Sequence, residues 1–375
     1  MKFFHLSDLH IGKRVNEFSM LDDQKYILAQ ILELSKEEQP DAVLIAGDVY
    51  DKSMPSAEAV GVFDDFLYEL SETGTEIFVI SGNHDSPERI AYGGRLMREK
   101  IHMSPVYSGK TMPAVLTDAD GPVYVYSLPF VKPGIVRQYF PEAEIENYTD
   151  ALRTVIEAMQ IDPKKRNILI CHQFVTGAAR SDSEETVGGL DNVNAEVFDP
   201  FDYVALGHIH SPQKAGRETI RYCGTPLKYS FSEAEDRKSV TVVEMKQKGE
   251  CTLHFLPLKP KRDLRKLRGS YAQLMERAFI DSQSTEDYLQ ITLTDEEEYP
   301  GAFHILRQQY PNLMKFSYDN TRTRTAGYKG AEVQLQSKSP LELVSEFYRL
   351  QNGSDMSREQ LQFTDGLIRK LWDIE

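Results

Sequence analysis

Five short segments of this chain carry residue types that hold divalent metals: Asp8-Leu-His10, Gly47-Asp48-Val-Tyr-Asp51, Gly82-Asn83-His84-Asp85, His172 and Gly207-His208-Ile-His210. The 375 residues include nine histidines, and five of them, His10, His84, His172, His208 and His210, fall in these segments. A lone histidine at a strand end is more often a hydrogen-bonded structural residue than a ligand. Five gathered in such company are not chance scatter, whereas His5, His102, His254 and His304 lack such neighbours and read as structural. The donors are Asp, Asn and His without thiolate, which suits Mn, Fe, Zn or Mg. Seven ligands exceed what one ion takes; two five- or six-coordinate ions sharing a bridging carboxylate, completed by waters, need about this many. Two ions so placed activate a bridging hydroxide and clamp both the attacking and leaving oxygens of an in-line phosphoryl displacement. The implied chemistry is phosphoester hydrolysis.

Residues so far apart in the chain meet only if the elements carrying them end at one place. Through the first two-thirds, short apolar runs alternate with amphipathic stretches, an α/β rhythm. Strands are expected at Lys2 to Leu6, Ala42 to Ala46, Ile77 to Ser81, Val123 to Leu128, Asn167 to Cys171, Tyr203 to Leu206, Ser239 to Met245 and Thr252 to Pro257. Helical spacing links Ile27, Leu28, Ile31, Leu32 and Leu34 before Pro40, and Val60, Phe63, Phe66, Leu67 and Leu70 before Gly74. In an open α/β sheet the carboxyl ends of the strands line a common crevice, and all five segments sit at such ends. Asp8 and His10 are two apart, as are His208 and His210, so extended backbone would put each pair on one face. Cys171, adjacent to His172, then points the other way and packs in the core rather than acting as a nucleophile.

The ordered series Asp-x-His, Gly-Asp-x-x-Asp, Gly-Asn-His-Asp, His and Gly-His-x-His resembles the calcineurin-like metallophosphoesterase superfamily, with no motif missing. More narrowly, His5-Leu-Ser-Asp-Leu-His-Ile-Gly-Lys13, Phe201-Asp-Tyr-Val-Ala-Leu-Gly-His-Ile-His210 and Tyr222-Cys-Gly-Thr-Pro-Leu-Lys-Tyr-Ser-Phe-Ser232 resemble the SbcD family of bacterial nuclease subunits. That resemblance covers roughly residues 1 to 258, and the later domains mainly by layout. It implies a metallophosphoesterase β-sandwich core flanked by helices. It implies Asp8, His10, Asp48 and His210 at one metal and Asp48, Asn83, His172 and His208 at the other, with Asp48 bridging and Mn as the ion. His84 would be the non-ligand catalytic histidine that protonates or stabilises the leaving oxygen, with Asp85 orienting its imidazole. Asp51 either orients ligands from behind or caps the helix at Ser56. The family also implies an exonuclease and endonuclease subunit working with an SbcC-type coiled-coil ATPase, as a homodimer within a heterotetramer, on double- and single-stranded DNA ends and hairpins in repair, recombination and replication. A stand-alone small-molecule or nucleotide phosphodiesterase is the alternative, because fold and metals do not set the substrate.

The rest of the chain bounds these expectations. Apolar residues at 41% and charged residues at 27% are ordinary for a globular protein, and 375 residues suggest two or three domains. With 43 Lys plus Arg against 58 Asp plus Glu, the net charge of −15 rules out coating nucleic acid by bulk charge, so DNA contact requires local basic patches or a partner. Cys171, Cys223 and Cys251 form no CxxC pair and are odd in number, which fits a reducing, cytoplasmic setting; no run is long enough for a signal or membrane span. A boundary falls after residue 258, where Lys259, Lys261, Arg262, Arg265, Lys266 and Arg268 crowd into ten positions with only Asp263 to oppose them. This run is a solvated face or a DNA-backbone contact. Residues 259–336 read as a small α+β capping domain with a linker, in which Glu332 to Leu335 can add a short strand. Residues 337–375 read as a helix pair that docks on the ATPase through Leu341, Val344, Phe347 and Tyr348, then Leu361, Thr364, Leu367, Ile368, Leu371 and Trp372, with Ser339 and Ser357 as caps. Gly188-Gly189 reads as a turn near the site, and no GxxxxGK[ST] occurs, so ATP, if used, is bound by the partner.

Overall fold

The inner strands of the sheets form where the chain is richest in apolar residues, because a strand buried on both faces leaves few polar positions to alternate with. In this computed structural model, residues 1–97, 100–184, 192–326 and 340–372 are described, and the chain divides into two units, Met1–Leu264 and Arg265–Glu375. The main strands of the first unit are β1 (Lys2–Leu6), β2 (Ala42–Ala46), β3 (Glu76–Ile80), β4 (Ile101–Met103), β5 (Ala114–Asp118) and β6 (Gly121–Leu128). They continue with β7 (Arg166–His172), β8 (Tyr203–Gly207), β9 (Gln213–Ala215), β10 (Arg217–Tyr222), β11 (Ser239–Met245) and β12 (Cys251–Pro257). One sheet has the order β12-β11-β1-β2-β3-β4 and the other β9-β10-β8-β7-β6-β5. Within them β1, β2 and β3 run parallel, with Phe3 opposite Ala42 and Val43 opposite Ile77. The strands β6, β7 and β8 are likewise parallel, Ile168 facing Val125 on one side and Tyr203 on the other.

The two sheets form a sandwich. Phe3, Leu44, Phe78 and Ile80 of the first pack with Val125, Ile168, Ile170 and Ala205 of the second in one buried cluster. Helices cover the outside. The first, α1 (Leu21–Glu38), buries Ile27, Leu28, Ile31 and Leu32 and stops where Gln39 turns left-handed at φ 48° ahead of Pro40. The second, α2 (Ala57–Glu72), contacts α1 and β3 and starts at Ser56, whose Oγ accepts the Ala59 N–H at 3.2 Å. A third, α3 (Tyr148–Ala158), lays Leu152, Val155 and Ile156 against Leu169, Cys171 and Leu206. Cys171 is fully buried there, as expected, and burial pushes its thiol up to about 12.

The second unit begins inside the basic run. Its strand β13 (Leu264–Gly269) opens a three-stranded sheet with β14 (Tyr288–Leu293) and β15 (Leu313–Tyr318), and helix α4 (Ala302–Gln309) adds Ala302 and Leu306 to a core with Leu289, Ile291 and Tyr310. The sequence reading missed β13 because it saw charge where the strand alternates, Leu267 half-buried between exposed Lys266 and Arg268. Three of the six basic side chains are engaged within their own unit: Arg262 with Asp23 at 2.9 Å, Arg265 with Asp287 at 2.7 Å and Arg268 with Asp319 at 2.6 Å. Residues Thr321–Ala326 form a short helix rather than linker. Glu332 to Leu335, the Ser339 cap and Gly188-Gly189 lie outside the described residues. The chain ends in helices α5 (Pro340–Asn352) and α6 (Arg358–Trp372), with Phe347 62% and Phe363 69% exposed. The side chains of Leu371 and Trp372 lie outside the described residues.

Candidate metal centre

The five strand ends meet. Asp8 and His10 follow β1, Asp48 follows β2, Asn83 and His84 follow β3, His172 ends β7, and His208 and His210 follow β8. Because β1, β2 and β3 are neighbours in one sheet and β7 and β8 in the other, their carboxyl ends converge on one crevice. Ligating atoms of Asp8, His10 and His210 lie within 4.8 Å of one another; so do those of Asp8, Asp48 and His172, and those of His10, Asp48 and His84. Asp48 thus belongs to two of the three groups.

The pairs Asp8/His10 and His208/His210 do not share a face through extended backbone. Asp8 (φ 52°), His10 (φ 44°), Asp48 (φ 49°) and His208 (φ 104°) all have left-handed backbone, so the chain coils tightly past each strand end and turns its side chains inward. Such conformations cost on the order of 1–3 kcal/mol each for residues other than glycine and persist where function holds them. The glycines of the motifs have a steric cause. A Cβ on Gly82 would collide with Asp48 Oδ1, and one on Gly207 would collide with the Ala46 carbonyl oxygen and come within 2.6 Å of His172 Nδ1.

The ring nitrogens of the imidazoles face one another and the Asn83 oxygen at close range. His10 Nε2 and His210 Nε2 lie 3.1 Å apart, and Asn83 Oδ1 is 2.9 Å from both His172 Nε2 and His208 Nδ1. His172 donates its Nδ1–H to the Ala46 carbonyl at 2.8 Å, so as a neutral ring it turns the Nε2 lone pair towards Asn83 and Asp48. Lone pairs aimed at lone pairs are a donor set that a cation satisfies, and the chemistry fits two divalent ions. Protonation agrees. Burial lowers His10 well below the ordinary histidine value, takes His208 down to about 3 and lowers His210, leaving their rings neutral. Burial alone would raise Asp48, but His172, His10 and His84 outweigh it and hold the carboxylate ionised. Asp8 is pushed up to about 8, by burial first. Burial opposes charge on His172 too, yet Asp48, 3.3 Å from Nε2, leads the groups that carry it up to about 9; a divalent cation would take the place of that proton.

His84 lies at the same centre, with its Nδ1–H on the Asp51 carbonyl at 3.0 Å and its ring edge-on to His10 at 4.9 Å. Asp85 does not orient it, which corrects the expectation. The Asp85 carboxylate instead accepts backbone N–H groups of Gly82 (2.9 Å), Tyr50 (3.0 Å) and Val49 (3.1 Å), stitching the loop after β2 to the loop after β3. Asp51 caps nothing, since Ser56 caps α2; its carboxylate pairs with Lys13 at 2.7 Å and stands 3.9 Å from His10 Nδ1. Sequence reasoning missed Ser183, Glu184, Glu233 and Lys238, which surround His210 from behind. Nothing local marks them, because Ser183 and Glu233 are 50 residues apart.

Comparison with known proteins places the chain in a family. The family model for calcineurin-like phosphoesterases matches residues 1–212, and one described as the type 5 capsule protein repressor C-terminal domain matches residues 260–352. A protein named as the D subunit of nuclease SbcCD, from Staphylococcus epidermidis, is 33% identical over 384 residues, covering 100% of both chains. Its counterpart from Staphylococcus saprophyticus is 33% identical over 381 residues, covering 99% of this chain and 98% of that one. A solved dimetal phosphatase from Danio rerio is 10% identical with a TM-score of 0.41, over 69% of this chain and 96% of that one. With a phosphoesterase match across most of the first unit and full-length likeness at this level, the chain belongs to the calcineurin-like phosphoesterases and, within them, to the SbcD family of SbcCD nuclease subunits.

Proposed function

We propose that this chain is the DNA-cleaving subunit of an SbcCD-type complex, hydrolysing phosphodiester bonds at a two-ion centre with Mn as the working metal. The observation that carries the reading is the convergence of Asp8, His10, Asp48, Asn83, His172, His208 and His210, with His84 beside them, at one crevice. Bound ions supply a hydroxide nucleophile and neutralise charge on the phosphoryl oxygens. The protein's part is to hold Asp48 ionised between the two positions, to fix His172 on the Ala46 carbonyl, and to keep Nε2 of His84 for the leaving oxygen while its Nδ1 is tied to Asp51. A stand-alone small-molecule phosphodiesterase is not favoured, because the likeness to SbcD-family nuclease subunits continues through the second unit.

The partition into residues 1–258, 259–336 and 337–375 is part of this proposal, as is the pairing with an SbcC-type ATPase through the last helices. Half-exposed Val344, Leu361 and Leu367 with exposed Phe347 and Phe363 support a helix-docking role. A homodimer within that complex is part of the proposal too. For DNA phosphates, Lys259, Lys261 and Lys266 are the better candidates in the basic run, since Arg262, Arg265 and Arg268 make ion pairs within their units. Unpaired cysteines agree with a reducing cytoplasm, and no helix among the described residues is long and apolar enough to cross a membrane.

The test is direct. With Mn, the purified chain should hydrolyse bis-p-nitrophenyl phosphate alone and cleave linear duplex ends when an SbcC-type ATPase and ATP are added. A chain ending at residue 338 should keep the first activity, lose the second and fail to co-purify with the ATPase. Cleavage of the small ester without any DNA cleavage in the complex would sink the nuclease reading.

A further inference from the structure

One candidate ligand has a charged network behind its ring. His172 and His84 each rest Nδ1 on a neutral backbone carbonyl, of Ala46 and Asp51. His210 Nδ1 instead lies 2.6 Å from Ser183 Oγ, and that hydroxyl lies 2.5 Å from Glu233 Oε1. Glu233 is fully buried, and its second oxygen takes Lys238 Nζ at 2.7 Å. Lys238, itself 5% exposed, also donates to the His210 carbonyl at 2.8 Å. Thr225 N–H adds a second bond to that carbonyl at 3.0 Å, and Glu184 Oε1 accepts the His210 N–H at 2.7 Å. The residue is gripped at its amide, its carbonyl and its ring.

The directions of these bonds are forced. The carboxylate of Glu233 accepts, so the Ser183 hydroxyl donates to it and uses a lone pair to accept the Nδ1–H of His210. That fixes the tautomer, leaves the Nε2 lone pair facing His10, and passes part of the carboxylate's negative charge through the hydroxyl to the ring. An anion-backed imidazole is a stronger donor than one resting on an amide carbonyl. Burying an ion pair to achieve this is costly in itself, which sets Glu233 and Lys238 apart from ordinary structural residues.

We infer that Ser183 and Glu233 are positioning residues that, through His210, make the ion position of Asp8, His10, Asp48 and His210 the tighter of the two. The inference rests on the two-ion reading proposed above. Outer partners of this kind are worth about 10- to 100-fold in metal affinity.

The experiment is calorimetric titration of the metal-free full-length chain with Mn alone, comparing wild type, Ser183→Ala and Ser183→Thr, alongside melting temperature without metal. Ser183→Ala leaves the Glu233–Lys238 pair intact and should stay folded, which the melting temperature checks. It should weaken the tighter of the two binding events about 10- to 100-fold and leave the other in place. Ser183→Thr, which keeps the hydroxyl, should restore it. In activity assays, Ser183→Ala should need more Mn for half-maximal rate. Equal weakening of both events, no weakening, or weakening of the looser event alone would overturn the inference. A wild-type chain that takes up a single ion would instead overturn the two-ion reading beneath it.

Discussion

Asp48 is the residue on which the rest of the centre turns, because its carboxylate stands within reach of ligating atoms from both sheets, 3.3 Å from His172 Nε2 and 3.8 Å from His10 Nε2. Asp48→Asn keeps the shape and removes the charge. Its metal content, read by elemental analysis, should fall from two ions towards one or none, and hydrolysis should vanish; two retained ions with full activity would refute the bridging assignment. His84 makes the complementary case. His84→Gln should keep both ions and lower the rate of phosphodiester hydrolysis by about 10²- to 10⁴-fold, the usual worth of a general acid, so a lost ion or an unchanged rate would argue against it. At this scale the motifs pointed to residues that the fold does bring together, because they pair donor types with fixed spacing. They misjudged Asp85, since a carboxylate next to a histidine looks the same in sequence whether it faces the ring or three backbone amides.

Among the elements, the strands that carry the centre were legible, as was the edge strand β12, and the other edges were not. Ala42 to Ala46, an unbroken apolar run, and Ser239 to Met245, rich in valine, form as written. The edge strands β4, β5 and β9, short and in part exposed, were passed over. No feature of the sequence betrays that Asp8, His10, Asp48 and His208 adopt left-handed backbone, since the reason lies in contacts made across the sandwich. The motif glycines are the visible trace of that crowding. Gly82→Ala places a methyl group against the Asp48 carboxylate; it should disturb metal uptake more than folding, so titration with Mn should weaken by more than tenfold while the far-ultraviolet circular dichroism is kept. Normal metal binding in that variant would mean the loop has room the geometry denies.

For the molecule as a whole, the two sheets are also tied at the edge by Arg166, which is 4% exposed. It bridges Asp118 at 2.6 Å within one sheet and the Lys246 carbonyl at 2.8 Å, just beyond the end of β11 in the other. Hydrogen bonds from Arg166 lead the causes that hold the Asp118 carboxyl well below its ordinary value of 3.8. A carboxyl depressed by folding contributes stability that is present above its unfolded value and is lost as pH falls through the folded one. Stability measured by urea unfolding should therefore decline below about pH 4 in the wild type, and Asp118→Asn should be less stable at neutral pH with a shallower decline on the acid side. An identical acid limb in both would remove Asp118 from the account.

The centre's wide separation along the chain governs how the molecule is made. His10 and His210 touch across 200 residues and Asn83 and His172 across 89, so no short stretch of nascent chain holds a usable set of donors. Contacts of that span form late, after both sheets have closed. A divalent ion should therefore not seed folding the way zinc seeds a finger, where a few neighbouring ligands suffice. Refolding of this chain should proceed at the same rate with Mn or with a chelator present, whereas unfolding should slow in proportion to Mn occupancy, as for any contact absent from the transition state. A refolding rate that rises with Mn would show the donors meeting early.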